Sequence, residues 1–95
     1  MNQNELKART KKFAIRIIHF CDTFPHNRKG WTLGDQLLRA GTSVGANYRA
    51  ACRAKISPAF AHKIGVVEEE ADECVSFLKC VMPAILAKKL KENHY

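Results

Sequence analysis

Five carboxylates fall within six consecutive positions, at Glu68, Glu69, Glu70, Asp72 and Glu73, and form the densest set of chemically active side chains in the sequence. Paired carboxylates are the raw material of acid-base catalysis and of divalent-cation sites. On a helix these five spread too far round the axis to converge on one point. Glu69 and Glu73 share a face, but no Glu-x-x-His accompanies them to complete a di-iron bundle site, and His62 falls well round the helix from Glu68. The cluster therefore reads as a solvated acidic face, or as one that meets basic residues across a subunit contact. Cys21, Cys52, Cys74 and Cys80 contain no CxxC pair and no tight His-Cys spacing, which argues against zinc. No nucleophile stands beside a base, so no enzymatic activity, metal or cofactor is expected.

The basic residues are better organised. Arg9, Lys12, Arg16 and His19 recur at spacings of three and four, with Lys7 and Lys11 on an adjacent line. Further on, Arg39, Arg49 and Arg53 share a face otherwise made of small residues, including Thr42 and Ala46. Low relief beside forked guanidinium donors lets a phosphate backbone lie close. Arg9, Lys12, Arg16, Arg39, Arg49 and Arg53 are therefore the candidate nucleic-acid contacts. The other reading is an ordinary solvated face that pairs with Glu68 to Glu73 of a neighbouring molecule. No paired exposed aromatics offer a base-stacking platform, so binding would depend on salt far more than on sequence.

The stretch Gln36 to Ala54 is crowded with small residues where the flanking sequence requires a helix. A helical glycine costs about 1 kcal/mol relative to alanine, so Gly41 and Gly45 point to close approach of another backbone. Beside them Gln36, Ser43 and Asn47 lie on one face and are expected to point toward other helices. Buried amides and hydroxyls need partners, and Lys63, Glu70 and Glu73 on the next helix are the candidates for a register-setting polar layer.

These residues are positioned by helices alone, since there are no alternating β-branched runs and no Asn-Gly or Asp-Gly turns. A first helix is predicted over about Asn4 to Phe24, with Leu6, Phe13, Ile17, Phe20 and Phe24 on its apolar stripe, ended by Pro25. A polar loop from His26 to Trp31 follows, with Trp31 fastening it to the bundle. Thr32 is the expected N-cap of a second helix over Leu33 to Lys55, and Ser57 that of a third, with Pro58 in its first position. Phe60, Ile64, Val67, Ala71, Cys74, Leu78 and Val81 alternate steps of four and three, the pattern of a bundle seam. At Pro83 the helix either kinks, or stops and restarts as a short tail. The fold class is all-α: a single domain over residues 1–95, an up-and-down antiparallel bundle of three long helices plus a short or kinked C-terminal segment.

Gln36-Leu-Leu-Arg39, Ser43, Ala46-Asn-Tyr48, Phe60 with Lys63, and Glu70-Ala-Asp-Glu73 followed by Phe77-Leu78 resemble, in order and spacing, the signature of the four-helix-bundle 23S rRNA intervening-sequence proteins. The resemblance runs from about Phe13 to Leu78. It implies an up-and-down bundle that assembles into a homopentameric ring without enzymatic activity. A related group, the accessory variability proteins of diversity-generating retroelements, implies a basic pentamer that binds RNA and a reverse transcriptase. This chain departs from the pattern at Ala50 and Ala59, where acids are usual. The family's fourth helix normally follows a turn after Leu78; 17 residues remain here, so the resemblance implies a chain shortened at its C-terminus.

Charge bounds the function further. Sixteen Lys and Arg stand against nine Asp and Glu, and only four of those acids lie outside the cluster, a balance that favours a polyanionic partner. The basic first segment leaves no secretory leader, and no apolar run is long enough to span a membrane. Reduced thiols in the cytoplasm are expected. Two functions fit: a self-associating accessory that binds RNA or DNA through phosphates, or an assembly module whose partner is protein alone.

Overall fold

A computed structural model describes residues 1–93; His94 and Tyr95 lie outside the described residues. It is built from three helices, α1 (Gln3–Cys21), α2 (Arg28–Cys52) and α3 (Ser57–Asn93), with no strand among the described residues. Short connections make successive helices antiparallel neighbours. The all-α bundle expected from the periodicity is thus present, with the C-terminal segment absorbed into α3.

Each boundary has a local cause. Asn2 caps α1, its side-chain oxygen accepting from the Glu5 amide at 2.8 Å. The helix ends at Cys21, short of Phe24, because the chain tightens into a last turn before Pro25. There Asp22, Thr23 and Phe24 donate three residues back to His19, Phe20 and Cys21. Phe24 is nonetheless buried, so its place in the apolar stripe stands.

The second helix begins earlier than Leu33. Asn27 caps it, its side-chain oxygen accepting from the Gly30 amide at 2.9 Å, and Thr32 is an ordinary exposed helical residue. The polar run His26 to Lys29 concealed this first turn. Trp31 consequently sits on the helix surface, 61% exposed, and fastens no loop. At the far end α2 stops at Cys52 rather than Lys55. Ser57 is the first residue of α3 rather than its cap, and the Ile56 carbonyl accepts from Phe60.

Pro83 neither stops nor restarts α3, and no turn follows Leu78. A helical proline deprives the carbonyl four residues earlier of its donor, here that of Lys79. Both residues lie on the exposed side of the helix. At about 1.5 Å per residue α3 is roughly 55 Å long, close to the 58 Å length of the molecule, whereas α2 covers only about 37 Å. The last turns of α3 therefore project past the start of α2.

The central helix is α2. Both α1 and α3 pack along it, while no Cα of α1 comes within 8 Å of one in α3 among the described residues. Ile17, Phe24, Leu37, Ala40, Val44, Cys74 and Val81 form the buried cluster, flanked by Phe13, Phe20, Val67, Phe77 and Leu78. Glycine sets the approach of α1. A Cβ on Gly41 would stand 3.0 Å from Ile17 Cγ2, and one on Gly45 3.2 Å from Thr10 Oγ1. At Gly30 it would lie 1.9 Å from the Pro25 carbonyl oxygen, a backbone atom that cannot rotate away. Gly65 of α3, by contrast, faces open space.

Glycine substitutions should therefore separate by site. Gly30→Ala and Gly41→Leu are expected to destabilise the fold by about 2 kcal/mol or more through overpacking. Gly65→Ala should stabilise it by about 0.5–1 kcal/mol through helix propensity alone. Urea unfolding followed by circular dichroism measures all three. Equal midpoints for Gly30→Ala, Gly41→Leu and the parent would refute the close contact.

Candidate nucleic-acid interface

The long side chains on the outer edge of α2 decide which positive charges remain available. Arg39 lies where α2 meets α3 and is not free. Its Nη1 donates to both carboxylate oxygens of Glu70 at 3.1 and 3.2 Å, and its Nη2 to Glu73 Oε1 at 2.6 Å. The bonds to Glu73 and then Glu70 hold the guanidinium charged even more firmly than usual. Two carboxylates neutralise one arginine, so Arg39 leaves the phosphate set and becomes the clasp between α2 and α3.

That clasp replaces the polar layer expected from Gln36, Ser43 and Asn47. Gln36 is exposed and makes no side-chain hydrogen bond to another helix among the described residues. Asn47 is half-buried, but its amide donates within α2, to the Ser43 carbonyl at 2.9 Å. Ser43 and Lys63 are half-buried and make no side-chain hydrogen bond to another helix among the described residues. Of the six residues, Glu70 and Glu73 do join helices, through Arg39, which helical periodicity sets on the same outer face as Arg49 and Arg53. Arginine can do this from the edge because its stem spans the gap that short amides and hydroxyls cannot.

The remaining candidates divide between two surfaces. The α2 glycines contact Ile17 and Thr10, which fixes the rotation of α1. Phe13 and Phe20 then turn toward the core, with Arg9 and Arg16 on the rim beside them and Lys12 beyond. On the opposite flank, Ile18 and Cys21 of α1 line a crevice with Trp31, Asp35 and Leu38 of α2. Helical periodicity places Lys7 and Lys11 on that same flank, and with Thr10 seated at Gly45, Lys7 falls near the level of Arg49. Arg49 and Arg53 are exposed and form no ion pair among the described residues. Their continuous basic neighbours are thus Lys7 and Lys11 rather than Arg9, Lys12 and Arg16. Recognising this needs the rotation of α1 about its axis, which only the glycine contacts supply.

Other features offer little chemistry. A groove of about 650 Å³ lies where α3 overhangs the start of α2, walled by Phe24, Leu33, Phe77, Val81 and Ile85 with lysines at its rim. Among the described residues no three His, Cys, Asp or Glu side chains are grouped to hold a metal. No helix of the described residues is long and apolar enough to cross a membrane. Burial raises the Cys74 thiol above its ordinary range, reinforced by Glu70 and Glu73 and opposed by Arg39; burial likewise raises Cys21.

With the three-helix frame and its Arg39 clasp in place, comparison with known proteins is decisive. The family model of the 23S rRNA-intervening sequence protein matches residues 2–92. The chain belongs to this family. It is also similar to a crystal structure of a protein of unknown function from the S23 ribosomal protein family of Bacteroides thetaiotaomicron, at 31% identity and a TM-score of 0.79. The match covers 88% of this chain and 75% of that one. No match was found among curated proteins. Membership of the 23S rRNA-intervening sequence family fits the resemblance carried by Gln36 to Arg39 and Glu70 to Glu73. The family's expected fourth helix has no counterpart among the described residues, which hold three.

Thiol chemistry tests the enclosure of the core. In the native protein exposed Cys80 should react first with an alkylating reagent at neutral pH, and Cys74, 1% exposed, last. Mass spectrometry of partially modified protein reads the order. Modification of Cys74 at the rate of Cys80 would contradict the packing of α3 on α2.

Proposed function

We propose that this member of the 23S rRNA-intervening sequence family is a non-catalytic, self-associating protein that binds RNA or DNA through phosphate contacts. The observation that carries the reading is the fate of the charges. Arg39 is neutralised by Glu70 and Glu73, whereas Arg49 and Arg53 stay exposed beside Lys7 and Lys11 on low-relief terrain of Thr42 and Ala46. A set of cations that form no ion pair among the described residues, on a chain of net charge +7, attracts a polyanion by releasing its counterions. Backbone contacts of this kind position a nucleic acid without reading its bases. Arg9, Lys12 and Arg16, on the other rim of α1, extend the positive field and contact phosphate only if the strand wraps that helix.

Self-association is supported by apolar surface. Phe60, Val75, Met82, Leu86 and Leu90 are between 43% and 62% exposed on α3. The same observation favours a second reading, in which the protein is an assembly module without a nucleic-acid role. The ring of five implied by the resemblance is a statement about copy number, which solution mass reads directly.

Titration of fluorescently labelled RNA and duplex DNA at two salt concentrations distinguishes the readings. Affinity should fall steeply as salt rises. Replacing Arg49 and Arg53 together by alanine should weaken binding to every sequence and reduce the logarithmic salt slope by about 1.4–1.8, roughly 0.7–0.9 per phosphate contact. Arg39→Ala should leave that slope unchanged. Absence of binding at low salt, or a slope insensitive to the double substitution, would overturn the phosphate reading and leave the assembly module.

A further inference from the structure

Trp31 is the one tryptophan of the sequence, and it stands exposed near the start of α2. Indole burial is among the larger apolar gains open to a small domain, so its place in water calls for a cause. Beside it lies a crevice of about 480 Å³ lined by Ile18, Cys21 and Leu38, with Asp22, His26 and Asp35 as its polar groups. Both acids act on the Cys21 thiol, which burial, then Asp22, then Asp35 raise above its ordinary range. Neither acid forms an ion pair among the described residues. A free aromatic face, apolar walls and uncommitted carboxylate acceptors thus occur together.

Helical spacing connects this crevice to the cations. Trp31, Leu38, Thr42 and Arg49 follow one another at steps of seven, four and seven, which sets them along one side of α2. On α1, Ile18, Lys11 and Lys7 run beside them at steps of seven and four. The flank therefore passes from indole at one end to guanidinium at the other. Arg49 follows Trp31 by 18 positions, about 27 Å along the helix, or about eight nucleotides of a stacked strand at 3.4 Å each.

Charge sorts what each end accepts. Phosphates are drawn to Arg49, Arg53, Lys7 and Lys11, and repelled by Asp22 and Asp35. The crevice accordingly suits a group that is flat, uncharged and rich in N–H donors. An unpaired nucleobase has that chemistry, with an apolar face for the indole and donors along its edge. Guanine presents two adjacent donors, N1–H and N2–H, to match the two oxygens of a carboxylate, whereas uracil presents one.

We propose that the crevice beside Trp31 is a base-binding site: one unpaired base of a single strand stacks on the indole and donates from its edge to Asp35, one helical turn away. Arg49, Arg53, Lys7 and Lys11 hold the phosphates farther along the same strand. A duplex cannot use the site, because its base faces and pairing edges are already occupied. This inference rests on the phosphate reading above and narrows it to a single strand, with guanine favoured over uracil at one position.

Because Trp31 is the sole tryptophan, its fluorescence reports this site alone. A uridine strand of about twelve nucleotides, long enough to span the flank, is titrated at low salt with and without one central guanine, and the guanine strand also as a duplex. Single strands should quench the indole, the guanine strand binding more tightly, whereas the duplex should bind by anisotropy without quenching. Trp31→Ala should weaken single-strand binding roughly five- to 150-fold, with duplex affinity and helical circular dichroism unchanged, and Trp31→Phe should recover most of the loss. Asp35→Asn should abolish the preference for guanine. Were Asp35 only a repulsive charge, its removal would strengthen both strands equally, and that result would overturn its role. Strands that bind without quenching, or with equal affinity after Trp31→Ala, would overturn the base site and leave the phosphate reading standing. No binding of any strand at low salt would overturn both.

Discussion

The close approach of α1 to α2 is the constraint on which the other features of the molecule depend. Gly41 and Gly45 allow Ile17 and Thr10 to seat against the α2 backbone, and Gly30 allows the Pro25 carbonyl to turn the chain tightly into α2. That contact fixes both the distance of α1 and its rotation. Rotation in turn decides that Phe13 and Phe20 face the core, that Ile18 and Cys21 face the crevice above Trp31, and that Lys7 and Lys11 join the arginines of α2. A bulkier helix surface would hold α1 farther away and lose both the packing and the basic flank.

The same economy explains why so much apolar surface stays outside. With α1 and α3 both leaning on α2 and keeping their backbones apart, the enclosed volume is small, and Leu37 and Cys74 are the largest side chains fully shut in. A domain of this size buries a limited share of its surface and gains by sharing the remainder. α3 is the element with surface to share, since it outreaches its own bundle. The Arg39 clasp takes up Glu70 and Glu73, whereas Glu68 and Asp72 form no ion pair among the described residues.

Much of the fold was legible in the sequence. The four-three alternation from Phe60 to Val81 marked the inner seam, and glycines in a helical context marked the close approach. Where the reading failed, local chemistry overrode pattern. Asn27 opened α2 within a polar run that carries no apolar periodicity, and α3 runs on through Pro83, which lies at an exposed position. The site was less legible. Arg39 shares the face of Arg49 and Arg53 on a helical projection, and nothing along the chain shows that its stem reaches sideways to α3. Gln36, Ser43 and Asn47 likewise lie on the side of α2 nearer α3, yet they are too short, or turned too far outward, to bridge. Projection gives the direction of a side chain, whereas contact depends on its length and on the spacing of helices.

The surface proposed for phosphate, a basic flank on α1 and α2, and the exposed apolar side chains along the outer face of α3 thus lie on different parts of the molecule. Amide chemical shifts recorded while RNA is added at low salt test that division most directly. The account predicts shifts concentrated at Lys7, Lys11, Arg49 and Arg53 and their neighbours, with Val75 to Leu86 unmoved. Shifts concentrated on the outer line of α3, or none on the flank of Arg49 and Arg53, would contradict it.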